Sequence, residues 1–329
     1  VKILVVRFSS IGDVVLTTSV VRCLKQQIPN CEIHFITKKV FKGILEHNSN
    51  ISKIFTIDKS VSEVIPALKE EQYDYVIDLH KNLRTFQLKT KLGRPSYSFP
   101  KLNFEKWMLV NLKRNKMPKI HIVDRYFKAV EKLGVKNDNK PCDFFIQQSD
   151  EIQIKNHFQL ASEIYITIAI GAQFATKCLP FEKLKEIIEQ LNQPIILIGG
   201  ETDKELANEI LGAFPFKSIF SACGIFSLAQ SASIVKQSSV LLTNDTGMMH
   251  IASCFQIPTI SVWGNTVPEL GMYPYFPENA ELFSLHEVKG LNCRPCSKIG
   301  FQECPKAHFN CMNLQNSIAI SDDIMNKIG

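Results

Sequence analysis

Nowhere does the chain of 329 residues approach the roughly 20 consecutive apolar residues that a membrane-spanning helix needs. The turn after its first apolar run lacks the G-x-G-x-x-G pattern, which argues against a dinucleotide-dependent oxidoreductase. It carries no recognition-helix or aromatic-platform motif, so nucleic acid is not expected as a partner. The opening Val1-Lys-Ile-Leu-Val-Val6 has no basic leader and no small-residue cleavage site. It reads as a buried strand, and cytoplasmic residence is the expectation.

The composition that remains is globular, with 45% hydrophobic and 21% charged residues. At about 150 residues per domain the length suggests two domains. The charge is uneven. Between Lys81 and Arg125 there are 12 Lys and Arg against two acids, while the whole chain carries +6. Such a zone is either a solvated basic face or an attractor of phosphorylated glycans, anionic lipid or nucleic acid. Trp107, Met108, Leu109 and Val110 lie inside it, so peripheral contact with an anionic membrane surface is expected.

Apolar runs alternate with helical patterns. Strands are expected at 2–6, 32–37, 53–57 and 73–79, with helices at 13–25, 41–46, 61–70 and 83–92. The runs are continuous rather than alternating, as in a parallel sheet covered on both faces. Two more helices follow, at 103–113 and 121–133, then a connector over 134–150 holding a short strand at 143–146. Alternation resumes with strands at 164–170, 194–198, 239–242 and 259–262 and helices at 181–191, 202–211, 226–236 and 247–254. The α/β order implies two doubly wound domains, 1–150 and 151–329, with ligands at the C-terminal edges of their sheets in a cleft. A last helix at 321–327 is expected to pack back on the first domain.

Four segments carry chemistry. Arg7-Phe-Ser-Ser-Ile-Gly-Asp13 ends the first strand. Asp13 fits two roles there, a general base toward a substrate hydroxyl or a helix cap. Thr176 and Lys177 follow a strand and Gly171-Ala; the lysine is either a surface residue or suited to neutralise a diphosphate leaving group. After Gly199-Gly200 come Glu201, Asp203 and Glu205, any of which suits a ribose or an adenine edge. In Val240-Leu-Leu-Thr-Asn-Asp-Thr-Gly-Met-Met-His-Ile-Ala252 a strand turns directly into a helix. Thr246 and Gly247 then sit where backbone N–H groups open toward an anion. Asp245 fixes the turn or takes a sugar hydroxyl, and His250 lies one helical turn beyond Thr246 on the same face.

Taken together, Ser9-Ser-Ile-Gly-Asp13, Gly171-Ala with Thr176-Lys177 and Pro180, Gly199-Gly200 with Glu205, and Asn244-Asp-Thr-Gly-Met-Met-His-Ile-Ala252 resemble glycosyltransferase family 9 in order and spacing. These are the ADP-heptose:lipopolysaccharide heptosyltransferases. Tyr73-Asp-Tyr-Val-Ile-Asp-Leu-His80 with Arg84, and His121-Ile-Val-Asp-Arg-Tyr126, agree. Trp263-Gly-Asn-Thr266 departs from the Phe-Gly-Pro-Thr that members often carry.

The resemblance implies a GT-B type α/β fold of two Rossmann-like domains, the first for the acceptor and the second for the nucleotide-sugar donor. It implies inverting transfer of a heptose or related sugar from an ADP-sugar to a phosphorylated, lipid-linked lipopolysaccharide-core acceptor, with no metal required for catalysis. Asp13 then resembles the general base and Lys177 the diphosphate clamp. Thr176, Glu205, Asp245, Thr246, Gly247 and His250 fall on the donor side, and Ser10, Arg84 and Arg125 on the acceptor side. The rival is a non-catalytic nucleotide-sugar or glycan-binding module. A location on the cytoplasmic face of the inner membrane would follow.

Cys293-Arg-Pro-Cys296, Cys304 and Cys311 form C-x2-C-x7-C-x6-C, with His308 nearby. Four thiolates at this spacing suit structural zinc, with free thiols or disulfides as alternatives.

Overall fold

Lys2–Val6 (β1) is an Ile-Leu-Val-Val run behind one lysine, and its last four residues are buried. β-Branched and aliphatic side chains with both faces covered make it a central strand. Around it lie Glu32–Lys38 (β2), Lys53–Ile57 (β3), Tyr75–Asp78 (β4) and Ser96–Ser98 (β5). All pair in parallel, in the order β3-β2-β1-β4-β5.

A second parallel sheet holds Ile166–Ala169 (β6), Ile195–Ile198 (β7), Ile219–Ser221 (β8), Val240–Asn244 (β9), Thr259–Trp263 (β10) and Phe283–Glu287 (β11). Its order is β11-β10-β9-β6-β7-β8. Counted from β6 this is the doubly wound order 3-2-1-4-5-6. β6, β7, β9 and β10 are buried at every position. Each buried Ile, Leu or Val contributes about 1.5–3 kcal/mol of transfer free energy, so the sheet centre rather than its edges holds the unit together.

The computed structural model describes residues 1–160 and 162–329, grouped in two units. The first is Val1–Leu102 with Ile120–Phe145, and the second is Asn103–Lys119 with Ile146–Gly329. The segment 103–119 therefore joins the second unit, not the first half in which its sequence lies. Its Leu109 packs on Val267 and Leu270, with Met117 alongside.

Several expected elements differ. The helix at 13–25 is two helices, Ile11–Val15 and Thr18–Gln27. Thr17 and Thr18 hydroxyls donate to Val14 and Val15 carbonyls at the break. The expected strand at 143–146 is no strand. Instead the Asp143 amide donates to the Thr18 hydroxyl and its carboxylate pairs with Arg22 at 2.5 Å. The final helix is longer, Ser317–Ile328, and it packs on the helix Phe181–Glu189 and on β9 and β10 of its own unit. Ser321 anchors it by donating to the Ile187 carbonyl. The helix Leu83–Leu92 matches its expected span; Asn82 caps its start and Gly93 (φ +61°) ends it in the left-handed conformation.

Candidate functional site

A doubly wound sheet binds ligands beyond the C-terminal ends of the strands where its order reverses. In the first sheet this point lies between β1 and β4, and in the second between β6 and β9. Ser10 and Asp13 follow β1, Thr176 and Lys177 follow β6, and Asp245, Thr246 and Gly247 follow β9.

In the first unit Arg7, just past β1, is 8% exposed. Its Nε donates to the Ser9 carbonyl at 2.7 Å, its Nη1 to the Leu79 carbonyl at 2.6 Å, and its Nη2 lies 2.5 Å from Asp13 Oδ1. Burial pulls the Arg7 pKa down, but Asp13 and Tyr126 outweigh it and the net shift is upward. The Ser10 hydroxyl donates to Asp13 Oδ2 at 2.8 Å and the Ser10 amide at 3.2 Å, while the Tyr126 hydroxyl donates to Oδ1 at 3.5 Å. Asp13 thus closes a capping box at the start of Ile11–Val15. Its side chain still keeps 21% of its surface in solvent. Cap and exposed carboxylate are one residue, so its two roles do not exclude each other.

Behind it lies a polar layer. Asp78 ends β4, wholly buried, with Lys89 Nζ at 2.8 Å and the Lys81 amide at 2.7 Å. Burial favours its neutral form, yet these partners hold its pKa below the usual carboxylate value. Burial, then Arg7 and Lys101, push the His80 pKa down to about 4, so the imidazole is neutral at neutral pH. Arg84 is exposed in the first turn of Leu83–Leu92, between Leu83 (81% exposed) and Phe86 (64%). Arg125 has no exposed surface. The neighbouring Tyr126 reaches Asp13 through its hydroxyl.

In the second unit the loop after β6 and the turn after β9 meet. Lys177 Nζ lies 2.6 Å from Asp245 Oδ2 and donates to the Asp245 carbonyl at 3.1 Å. The Thr266 hydroxyl donates to the same Oδ2 at 2.8 Å. Asn244 ties the two segments together: its amide donates to the Ala169 and Ile170 carbonyls, and its oxygen accepts from the Leu179 amide. Thr246 caps the helix Gly247–Cys254, with its hydroxyl 3.2 Å from that of Thr243. His250, on that helix, is buried at 3% exposure. Thr176 is buried and exchanges hydrogen bonds with the Phe301 backbone, its hydroxyl accepting from the amide at 2.9 Å. Its hydroxyl therefore braces the loop that carries Lys177.

Of the three acids after Gly200, Asp203 is the one against the glycines. Its carboxylate accepts from the Gly200 amide at 2.7 Å. A Cβ on Gly171 would fall 2.0 Å from its Oδ2, and one on Gly199 2.7 Å away. Glu205 is exposed on the helix Lys204–Ala213.

The four C-terminal cysteines lie near one another. Burial, then the charges of Cys293 and Cys304, raise the Cys296 pKa; burial and the other three thiols push Cys311 up to about 11. His308 Nε2 lies 3.9 Å from Cys293 Sγ. They are not gathered as a bound tetrad: among the described residues the ligand atoms lying within 4.8 Å of one another belong to Glu32, His34 and Glu71. Lys53 at 2.6 Å and Lys2 at 2.9 Å already neutralise Glu71, so that set is an ion-pair cluster.

Sequence reasoning did not single out Arg7, Tyr126 or Thr266 as site residues. Arg7 had a usable signal, a lone guanidinium ending an apolar central strand. The contacts of Tyr126 and Thr266 span 113 and 21 residues and leave no local pattern.

Known proteins share this fold. The profile of glycosyltransferase family 9 (heptosyltransferase) matches residues 61–300. Lipopolysaccharide heptosyltransferase 1 of Campylobacter coli is 24% identical over 295 residues, covering 80% of this chain and 84% of that protein. Lipooligosaccharide heptosyltransferase 2 of Haemophilus influenzae is 24% identical over 331 residues, covering 91% and 93%. The structure of the E. coli ADP-heptose lipopolysaccharide heptosyltransferase II superposes with a TM-score of 0.70 at 18% identity, covering 100% of this chain and 98% of that one. E. coli heptosyltransferase WaaC with ADP gives 0.69 at 20%, covering 99% and 100%. The fold is of the GT-B type, built from two Rossmann-like units. With a profile match over most of its length, the chain belongs to glycosyltransferase family 9, the heptosyltransferases.

Proposed function

We propose that this glycosyltransferase moves a heptose, or a closely related sugar, from an ADP-sugar to a lipopolysaccharide-core acceptor with inversion. The support is that each unit carries complementary chemistry at its own strand-reversal point. One presents an oriented, part-exposed carboxylate, Asp13. The other presents an ammonium, Lys177, beside the start of the helix Gly247–Cys254. The names of the relatives supply the sugar and the acceptor class.

As the donor's glycosidic bond breaks, negative charge grows on the departing diphosphate. Lys177 and the amides at Thr246 and Gly247 stabilise that charge, and no metal is needed for it. Lys177 must then share its ammonium between Asp245 and the phosphate. The acceptor hydroxyl attacks the anomeric carbon from the opposite face, and Asp13 takes its proton. Arg7 and Ser10 keep that carboxylate aimed. Ser10 and Arg84 serve the acceptor; Leu83 and Phe86 beside Arg84 suit one that is both phosphorylated and lipid-linked. Such an acceptor brings the enzyme to an anionic membrane surface. Among the described residues no helix is long and apolar enough to cross it. Structural zinc at Cys293, Cys296, Cys304 and Cys311 is a separate part of this reading, supported by their spacing, and has no part in transfer.

The test is transfer from ADP-heptose by wild type, Asp13→Ala and Asp13→Asn. Both variants are expected to lose about 10²-fold or more in rate while keeping donor affinity. Transfer at the wild-type rate in either would remove Asp13 from this role.

A further inference from the structure

The segment 103–119 carries an arrangement that sugar transfer does not use. On the helix Asn103–Leu112, Phe104 is 67% exposed and Trp107 51%, one turn apart, with ring centroids 6.3 Å apart and planes at 16°. Leu112, at the helix end, is 49% exposed. The opposite side is fixed: Leu109 is buried against Val267 and Leu270. Lys113 Nζ donates to the Val110, Cys293 and Pro295 carbonyls, at 2.7, 3.2 and 2.5 Å. The helix is thus locked with its two large aromatics outward. Directly after it come Lys113, Arg114, Lys116 and Lys119, all exposed, with no acid among residues 106–123.

We infer that this face docks on an anionic lipid bilayer, Phe104 and Trp107 entering the headgroup layer and Arg114, Lys116 and Lys119 pairing with lipid phosphates. Scattered exposed apolar residues are ordinary on a protein surface. A stacked aromatic pair held outward beside a dense cationic run is the composition of an interfacial helix. Charge selects the occupant. A second copy of this chain would set four cations against four, whereas an anionic membrane complements them. The use of such docking rests on the lipid-linked acceptor proposed above, but its test does not.

The chain supplies its own probe, because it has two tryptophans. Trp263 is fully buried, with its Nε1 donating to the Ser261 hydroxyl, so a change on adding vesicles reports Trp107. With phosphatidylglycerol-containing vesicles the emission is expected to move to the blue and to become shielded from an aqueous quencher. Pure phosphatidylcholine vesicles should do neither. Phe104→Ser should weaken co-sedimentation with anionic vesicles roughly tenfold or more. Lys116→Glu with Lys119→Glu should weaken it and flatten its salt dependence. Unchanged Trp263 emission in Trp107→Phe shows that the fold is intact.

The inference is overturned if the chain fails to bind anionic vesicles, or binds them with Trp107 still in water. Equal binding to neutral vesicles overturns it too, as does self-association without lipid that Phe104→Ser abolishes. Transfer to a water-soluble acceptor is measured in parallel and should be equal in wild type and Phe104→Ser. Docking without any transferase activity would defeat the proposed function and leave this inference standing.

Discussion

Lys177 and Asp245 form an ion pair of 2.6 Å that joins the loop after β6 to the turn after β9, the two strands between which the second sheet reverses. Both side chains are mostly buried, at 16% and 13% exposure. The lysine is therefore held at the start of the helix Gly247–Cys254 before any diphosphate arrives. Its charge is already committed in part to a carboxylate.

Removing only the lysine leaves that carboxylate without its ammonium partner, next to the proposed phosphate seat. Lys177→Ala is expected to weaken ADP binding by about 10- to 100-fold, as for loss of a charge-assisted hydrogen bond. Lys177→Ala with Asp245→Asn should recover part of the loss, because the repelling charge leaves as well. Calorimetry checks both; equal ADP affinity in Lys177→Ala would refute the clamp.

Asp203 fills the space that side chains on Gly171 and Gly199 would need. Gly171→Ala places a methyl 2.0 Å from Asp203 Oδ2, so the carboxylate must leave the Gly200 amide. A destabilisation of about 1–3 kcal/mol is expected, typical of overpacking. The same substitution made in an Asp203→Ala background should cost clearly less. Urea unfolding of the four proteins of this cycle measures the coupling, and additive costs would show that the two positions do not meet.

His80 gives the first unit an acid limit. Its folded pKa of about 4 lies below the roughly 6.5 of an unfolded histidine. The unfolded chain therefore binds the proton first as pH falls. The contribution of the neutral imidazole is complete above about pH 6.5 and is lost progressively toward about pH 4. Thermal melts of wild type and His80→Gln should converge over that window. Parallel pH profiles would mean that the imidazole is not buried as described.

Four cysteines close together, three in a loop and Cys311 in the helix Asn310–Asn313, make metal content directly measurable. If Cys293, Cys296, Cys304 and Cys311 close on a metal, the purified chain carries about one equivalent of zinc, lost when Cys293 and Cys296 are both replaced by serine. Elemental analysis finding no metal in a preparation with all four thiols free would end the zinc reading.

Arg7→Met isolates the positioning of Asp13. The transfer rate should fall with donor affinity unchanged, because the carboxylate loses the partner that aims it. Steady-state kinetics that altered only the donor KM would place Arg7 elsewhere in the mechanism.

Much of this was legible locally. Continuous Ile, Leu and Val runs with turn residues after them mark β1, β6, β7, β9 and β10, because a strand buried on both faces needs no partner to declare itself. The helices Leu83–Leu92 and Gly247–Cys254 keep their expected spans, since cap and periodicity lie within the segment. The short strands β5, β8 and β11 escaped notice. They lie at or next to the sheet edges, two of them three residues long, and only pairing with a neighbour makes them strands.

The sequence by itself determined the strand–helix alternation, the family, and the turns that carry Asp13, Lys177 and Thr246, because each is written in neighbouring residues. Tertiary structure alone decided that Arg7 and Tyr126 meet on Asp13, that Thr266 shares Asp245 with Lys177, that Asp203 lies against the glycines, and that 103–119 packs with the second unit. Those choices are contacts between distant segments, selected by which apolar faces bury together, and no window along the chain contains both partners.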